Sequence, residues 1–368
     1  DYPMAALQFT PLPENVEQRT YEANNALLFY AEHTTGYSES VREPLSENTM
    51  IQRGIKESYA WEANRRVAIL GEETMGLLQA KLSREKDPTL VVYNTLNWVR
   101  SGLITVYIDH QIVPLGRKAG IYDNQGNRMP AQAQEHRSDG TYWTVFVKDI
   151  PAFGYKRFLI KSRHNDESSL TSKPERILEN NWYKITADLQ LGALSSIFDK
   201  ENNTELIDQQ ADFKLGQFIL EKINGRSQME SRKLDSYERL PLDTVWFESK
   251  LEGDVWKSFK FRGESETTVN PNGFSIEFRL YHDFKRIDIV CSMIKKTIFE
   301  PESFYIAFPF GLKDAKHFLE VPGGIMEVGK DQLPGSSNDW YTMQGFSSLK
   351  NTSNQIVLTS NQMPLFQF

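Results

Sequence analysis

The chain has 368 residues, with 42 Lys and Arg against 49 Asp and Glu, and a net charge of −7. Roughly 100–200 residues per domain makes this two or three domains, and an aromatic content of 12% excludes a chain too polar to collapse. No apolar run approaches the ~20 residues of a spanning helix, so no membrane partner is expected, and an acidic balance without a dense Lys/Arg block argues against nucleic acid. Cys291 is the sole cysteine, which excludes an internal disulfide and a cysteine-based zinc site. It fits a reducing compartment such as the cytoplasm, but a disulfide-free secreted protein has the same signature.

The first zone, residues 1–87, is helical. Glu14–Glu32 is rich in helix formers and follows Pro13, a start signal. From Ser46 to about Leu82, Ile51, Ile55, Tyr59, Ala63, Val67, Leu70 and Leu77 recur mostly at steps of three and four, which marks one helix face. So long a helix needs partners, and the first helix supplies only part of the cover. The expectation is a helical bundle with an exposed apolar side, with Gly54, Gly71 and Gly76 as candidate breaks. Over 88–162 the period switches to two. Segments such as LVVYNTLNW, LITVYID and TYWTVFVKDIP predict four to six strands of a small antiparallel sandwich. A polar stretch over 163–173 reads as a linker. Residues 174–368 are almost entirely strand-like, which predicts a large antiparallel sandwich. The fold class is therefore α+β. The chain opens at Asp1 and stops at Phe368 inside a strand-like segment, as a piece of a longer protein does.

Signatures of nucleotide binding, of H-E-x-x-H zinc enzymes and of G-x-S-x-G hydrolases are missing from the sequence. Its six histidines never pair at i+3 or i+4, so no self-contained histidine metal site is predicted. His33 ends the first helix, a stiff mount for a ligand, and its bland role is a C-cap stabilised by the helix dipole. His164-Asn165-Asp166 has H-x-D spacing but lies in the linker, where nothing fixes its geometry. Glu39, Glu43 and Glu47 read as a solvated run. Asp199 reads as a turn residue rather than a catalyst. Trp182, Trp340 and Tyr341 are candidates to stack on sugar rings, with core packing the commoner fate of such residues.

Several segments together resemble glycoside hydrolase family 38, the zinc-dependent retaining α-mannosidases. They are Ala31–Val41, Val92–Trp98, Ile150–Tyr155, Leu178–Ile185, Gly192–Lys200, Ala307–Phe310, Val321–Gly324, Asp331–Gly335 and Asp339–Thr342. The resemblance implies a helical bundle, a small β domain and a large mutarotase-like β-supersandwich cut short at its C-terminus. It also implies that the family's catalytic β/α barrel is missing. That barrel carries the nucleophile, the acid/base carboxylate and the other zinc ligands, so no catalytic residue carries over to this chain. His33 carries over as a zinc ligand. Zinc and an α-mannoside would bind the intact enzyme, and this portion alone would be inactive and leave zinc unbound. The sequence departs from the family at Thr34, where an Asp often binds a sugar hydroxyl, and at Gly345-Phe346, where an Arg-Trp pair often stands. These departures also admit a carbohydrate-binding or scaffolding module from a divergent or inactive member.

Overall fold

The computed structural model of the protein describes residues 12, 14–33, 36–164, 169–231, 233–360 and 362–368. It is an α+β fold dominated by antiparallel sheets, with two long helices at the N-terminal end. Pro13, Thr34 and the Asn165-Asp166 pair lie outside the described residues.

Helix α1 spans Val16–His33 and α2 spans Glu47–Gln79. Ser46 caps α2: its hydroxyl accepts the Thr49 N–H at 3.4 Å, satisfying one of the first-turn donors. The 33 residues of α2 make about 50 Å of helix. Arg19 meets Glu73, Glu22 meets Arg66, and the Phe29 and Tyr59 rings lie 5.6 Å apart. Those pairings run in opposite chain order, so the helices form an antiparallel hairpin.

The glycines do not break α2. A Cβ at Gly54, Gly71 or Gly76 would meet nothing within 4 Å, and the helix runs through all three at the usual propensity cost. The buried face also differs from the periodic stripe. Ala23 of α1 and Ala63, Leu70 and Thr74 of α2 form a narrow seam of mostly small residues, while Ile51, Ile55 and Val67 point outward at 48–60% exposure. The reason lies in two charge pairs between the helices. Arg19 and Arg66 bridge the hairpin to Glu73 and Glu22, and these pairs set the rotation of one helix on the other. The expected exposed apolar side is therefore present, and broad: it also includes Leu28 and Trp61.

Seven strands follow: β1 (Thr89–Tyr93), β2 (Arg100–Asp109), β3 (Lys118–Tyr122), β4 (Arg128–Met129), β5 (Ala131–His136), β6 (Gly140–Ile150) and β7 (Tyr155–Arg163). That exceeds the expected number because Pro130 separates the two-residue β4 from β5. They form two sheets, β1-β7-β3-β4 and β2-β6-β5, which face each other across Ile108, Ile121, Trp143, Val145 and Phe158.

The C-terminal half is built from further antiparallel sheets. The largest has the order 287–293, 274–281, 256–264, 244–252 and 169–171. Its last member, Ser169–Thr171, pairs with Thr244–Glu252, so the polar stretch 163–173 contributes a strand. Along Trp256–Glu264 and Phe274–Tyr281 burial alternates, as it must when one face is dry and the other wet. Phe259, Phe261, Phe274 and Phe278 line the dry face. They share one core with Ile185, Leu194 and Ile197 of a second sheet and Phe218 and Leu220 of a third.

Candidate functional site

Three joints tie these parts together, and two of them use segments singled out from the sequence. At the first, Leu78 near the end of α2 packs against Tyr93, while Arg157 of β7 reaches Ser83 and Glu85. Asn94 organises the neighbouring turn. Its amide donates to the carbonyls of Trp98 (2.7 Å), Pro151 (3.1 Å) and Ile150 (3.2 Å), and its Oδ1 accepts the Leu96 N–H. The Val92–Trp98 and Ile150–Tyr155 motifs are thus two halves of one hydrogen-bonded corner.

At the second joint, Gln132 of β5 inserts between the sheets. Its Oε1 accepts the N–H groups of both Val255 and Trp256 at 3.0 Å. Arg128 pairs with Asp254 at 2.9 Å, and Phe146 meets Phe284 at 5.2 Å. At the third joint, Arg226 at the start of a short helix (Arg226–Ser231) donates to Val41 O at 2.7 Å and to Phe299 O. Val41 lies in the loop between α1 and α2, so this guanidinium pins that loop to the C-terminal sheets.

His33 is the last residue of α1, at the entrance to the loop that Arg226 holds; its side chain lies outside the described part of the structure. Among the described residues no group of three or more His, Cys, Asp or Glu is arranged to hold a metal ion. His164 sits beside Arg117 at 3.1 Å. Glu43 and Glu47 are exposed. Two other histidines converge in a way the sequence spacing hides: His110 and His136 both hydrogen-bond the buried Thr141 hydroxyl, at 3.1 and 2.9 Å.

Asp199 works in a turn. Its Oδ1 accepts the N–H groups of Glu201 and Asn202, and its Oδ2 accepts from the Asn202 amide and from Lys285 Nζ at 2.7 Å. Burial opposes its charge, but Lys285 and the Asn202 donors outweigh that and hold the carboxyl below the usual range. A carboxyl lowered on folding contributes stability above its unfolded pKa of about 3.9, and loses it as pH falls through the folded value. Asp199→Asn is therefore expected to cost about 1–2 kcal/mol at pH 7, with the gap to wild type closing in urea titrations as pH falls below the unfolded value and through the lowered folded one. A gap that stays constant with pH would show that the charge is irrelevant.

The three candidate sugar-stacking aromatics part company. Tyr341 is buried with Leu319 and Met343. Trp182 is half-buried in the turn organised by Asn180. Trp340 remains 44% exposed and lies flat on Tyr305, with ring centroids 5.6 Å apart and planes at 17°. Gly345 abuts Glu320, whose carboxylate fills the space a side chain would enter.

No protein-family model matches the sequence, and no curated protein matches it. Among solved structures, the chain is similar to an α-mannosidase from Enterococcus faecalis V583, with a TM-score of 0.61 and 14% identity. The likeness covers 86% of this chain and 42% of that one, so the chain spans less than half the length of the protein it matches. The helical hairpin, the paired small sheets and the larger sheets behind them thus make up an α-mannosidase-like fold.

Proposed function

We propose that this chain is the helical and β-sheet body of a retaining α-mannosidase-like glycoside hydrolase of family 38. It acts on α-mannosides together with a catalytic barrel supplied by the rest of the parent protein. One observation carries this reading: a likeness over 86% of the chain to an α-mannosidase, within which α1 ends on His33 at a loop fixed to the sheets by Arg226. In this reading His33 supplies one neutral imidazole to a zinc ion whose remaining ligands belong to the barrel. Zinc polarises and grips the sugar hydroxyls when bound. The two carboxylates of a retaining mechanism belong to the barrel. The outward apolar residues of the hairpin, Leu28, Ile51, Ile55, Trp61 and Val67, give the barrel a surface to cover.

The chain incubated with an aryl α-mannoside and zinc is expected to release no aglycone, and rapid saturable hydrolysis would refute the division of labour. In the intact parent, His33→Ala is expected to lower zinc content and activity together; unchanged values of both would remove His33 from the site. A carbohydrate-binding or scaffolding role is the second reading, favoured by the exposed Trp340 ring.

A further inference from the structure

We infer that the outward face of the sheet formed by residues 237–240, 218–223 and 302–306 binds a neutral oligosaccharide, with one sugar ring stacked on the free face of Trp340. The proposal rests on the preceding reading only for which sugar the patch takes.

The register places its residues together. Glu221 pairs with Arg239 on one side and Ser303 on the other, Ile223 pairs with Tyr237, and Ile219 pairs with Tyr305. Alternation then puts Glu221, Arg239, Tyr237 and Tyr305 on one face and Leu220, Phe304 and Leu240 on the core face. Tyr305 stands beside buried Ile219 on the neighbouring strand and carries Trp340 stacked on it. A parallel stack covers one ring face and leaves the other to solvent. Trp340 belongs to none of the hydrophobic clusters of the described residues, unlike its neighbour Tyr341.

Beside the rings lies a polar pair already set in place. Glu221 Oε2 accepts Arg239 Nε at 2.8 Å, and Glu221 Oε1 accepts the Tyr305 hydroxyl at 3.3 Å. The Arg239 guanidinium also lies 5.3 Å from the Tyr237 ring centroid. A carboxylate offers about four acceptor positions, so Glu221 has capacity left, and the outer nitrogens of Arg239 make no hydrogen bond among the described residues. The patch therefore presents fixed donors, fixed acceptors and an aromatic face. Its two charges cancel. That combination suits a ligand with many hydroxyls, an apolar ring face and no charge; a phosphate-bearing ligand would find no net attraction. The strand 218–223 runs directly into Arg226, and five residues from Glu221 span at most about 18 Å. The platform thus lies within about that span of the guanidinium that holds Val41.

The test is calorimetric titration of the 368-residue chain with mannotriose, cellotriose and maltotriose in EDTA, which removes any metal contribution. Saturable binding of at least one trisaccharide is expected, with Kd about 1 mM. Trp340→Ala should weaken it at least about tenfold, and Glu221→Gln severalfold. Trp98→Ala, at an exposed Trp on the small sheets, should leave it unchanged. No binding up to about 20 mM, or binding indifferent to both Trp340→Ala and Glu221→Gln, overturns the platform. Trp340-dependent binding of cellotriose or maltotriose alone upholds the platform while counting against the α-mannoside reading. Should Trp340→Ala fail to fold by circular dichroism, Glu221→Gln decides.

Discussion

Gln132→Leu is expected to destabilise the protein by about 2–6 kcal/mol, because it strands two buried donors that have no alternative. The Val255 and Trp256 N–H groups both end on Gln132 Oε1, and the two residues are 1–2% exposed. Leucine keeps the volume and removes the acceptor, so each N–H forfeits its bond without gaining water. The backbone around the amide is built to admit it: a Cβ on Gly253 would lie 2.1 Å from Gln132 Oε1. Gly253→Ala should therefore destabilise on its own by evicting the amide. In Gln132→Ala the methyl of Gly253→Ala finds room, so the double variant should fall short of the sum of the singles. Differential scanning calorimetry on wild type, Gln132→Leu, the two singles Gln132→Ala and Gly253→Ala and their double variant reads this directly. Strict additivity, or a Gln132→Leu melting curve superimposable on wild type, would show that the amide does not hold the sheets together.

Phe278→Ala is expected to cost about 3–5 kcal/mol, the range for emptying a large aromatic site in a packed core. Phe278 is fully buried, stands edge-on to Phe261 at 6.3 Å and 72°, and shares its core with residues from three sheets. Gly216, at φ +82°, lets the backbone run beneath the ring: a Cβ there would lie 2.6 Å from Phe278. With backbone so close on one side and rings on the other, the site has little freedom to collapse, which favours the upper part of that range. Urea unfolding should show a lower midpoint at unchanged slope. A loss below about 1 kcal/mol would mean that the three sheets repack without it.

Much of the architecture was legible because it follows from local pattern. The α2 helix was expected from Ser46 to about Leu82 and spans Glu47–Gln79, since Ser46 is both a sequence signal and the working cap. Strands such as Phe274–Tyr281 and Ile287–Met293 fall within the stretch 174–368 expected to be almost entirely strand. The hidden features depend on partners distant in sequence. The stripe through Ile51, Ile55 and Val67 was legible as one helix face, but which face meets α1 was not: α1 offers a narrow seam around Ala23, with Arg19 and Glu22 reaching Glu73 and Arg66 of α2. The strand at 169–171 has a polar sequence and is fixed by its ladder to Thr244–Glu252. Of the candidate site residues, Trp340 was legible only as a residue type. Its pairing with Tyr305, and the placement of Glu221 and Arg239 beside them, come from sheet register. Several motifs behind the family resemblance include the residues that organise turns, as Asn94, Asn180 and Asp199 show.

The inverted dressing of the α1–α2 hairpin has a consequence for its response to dissolved ions. Its seam is bridged by partly exposed charge pairs such as Arg19–Glu73, which added electrolyte screens within a Debye length of about 8–10 Å. Its exterior is greasy, and strongly hydrated anions such as sulfate drive such surfaces together. Chloride and sulfate alike are therefore expected to weaken the charge pairs in the seam, and sulfate in addition to favour cover of the outside by an apolar neighbour.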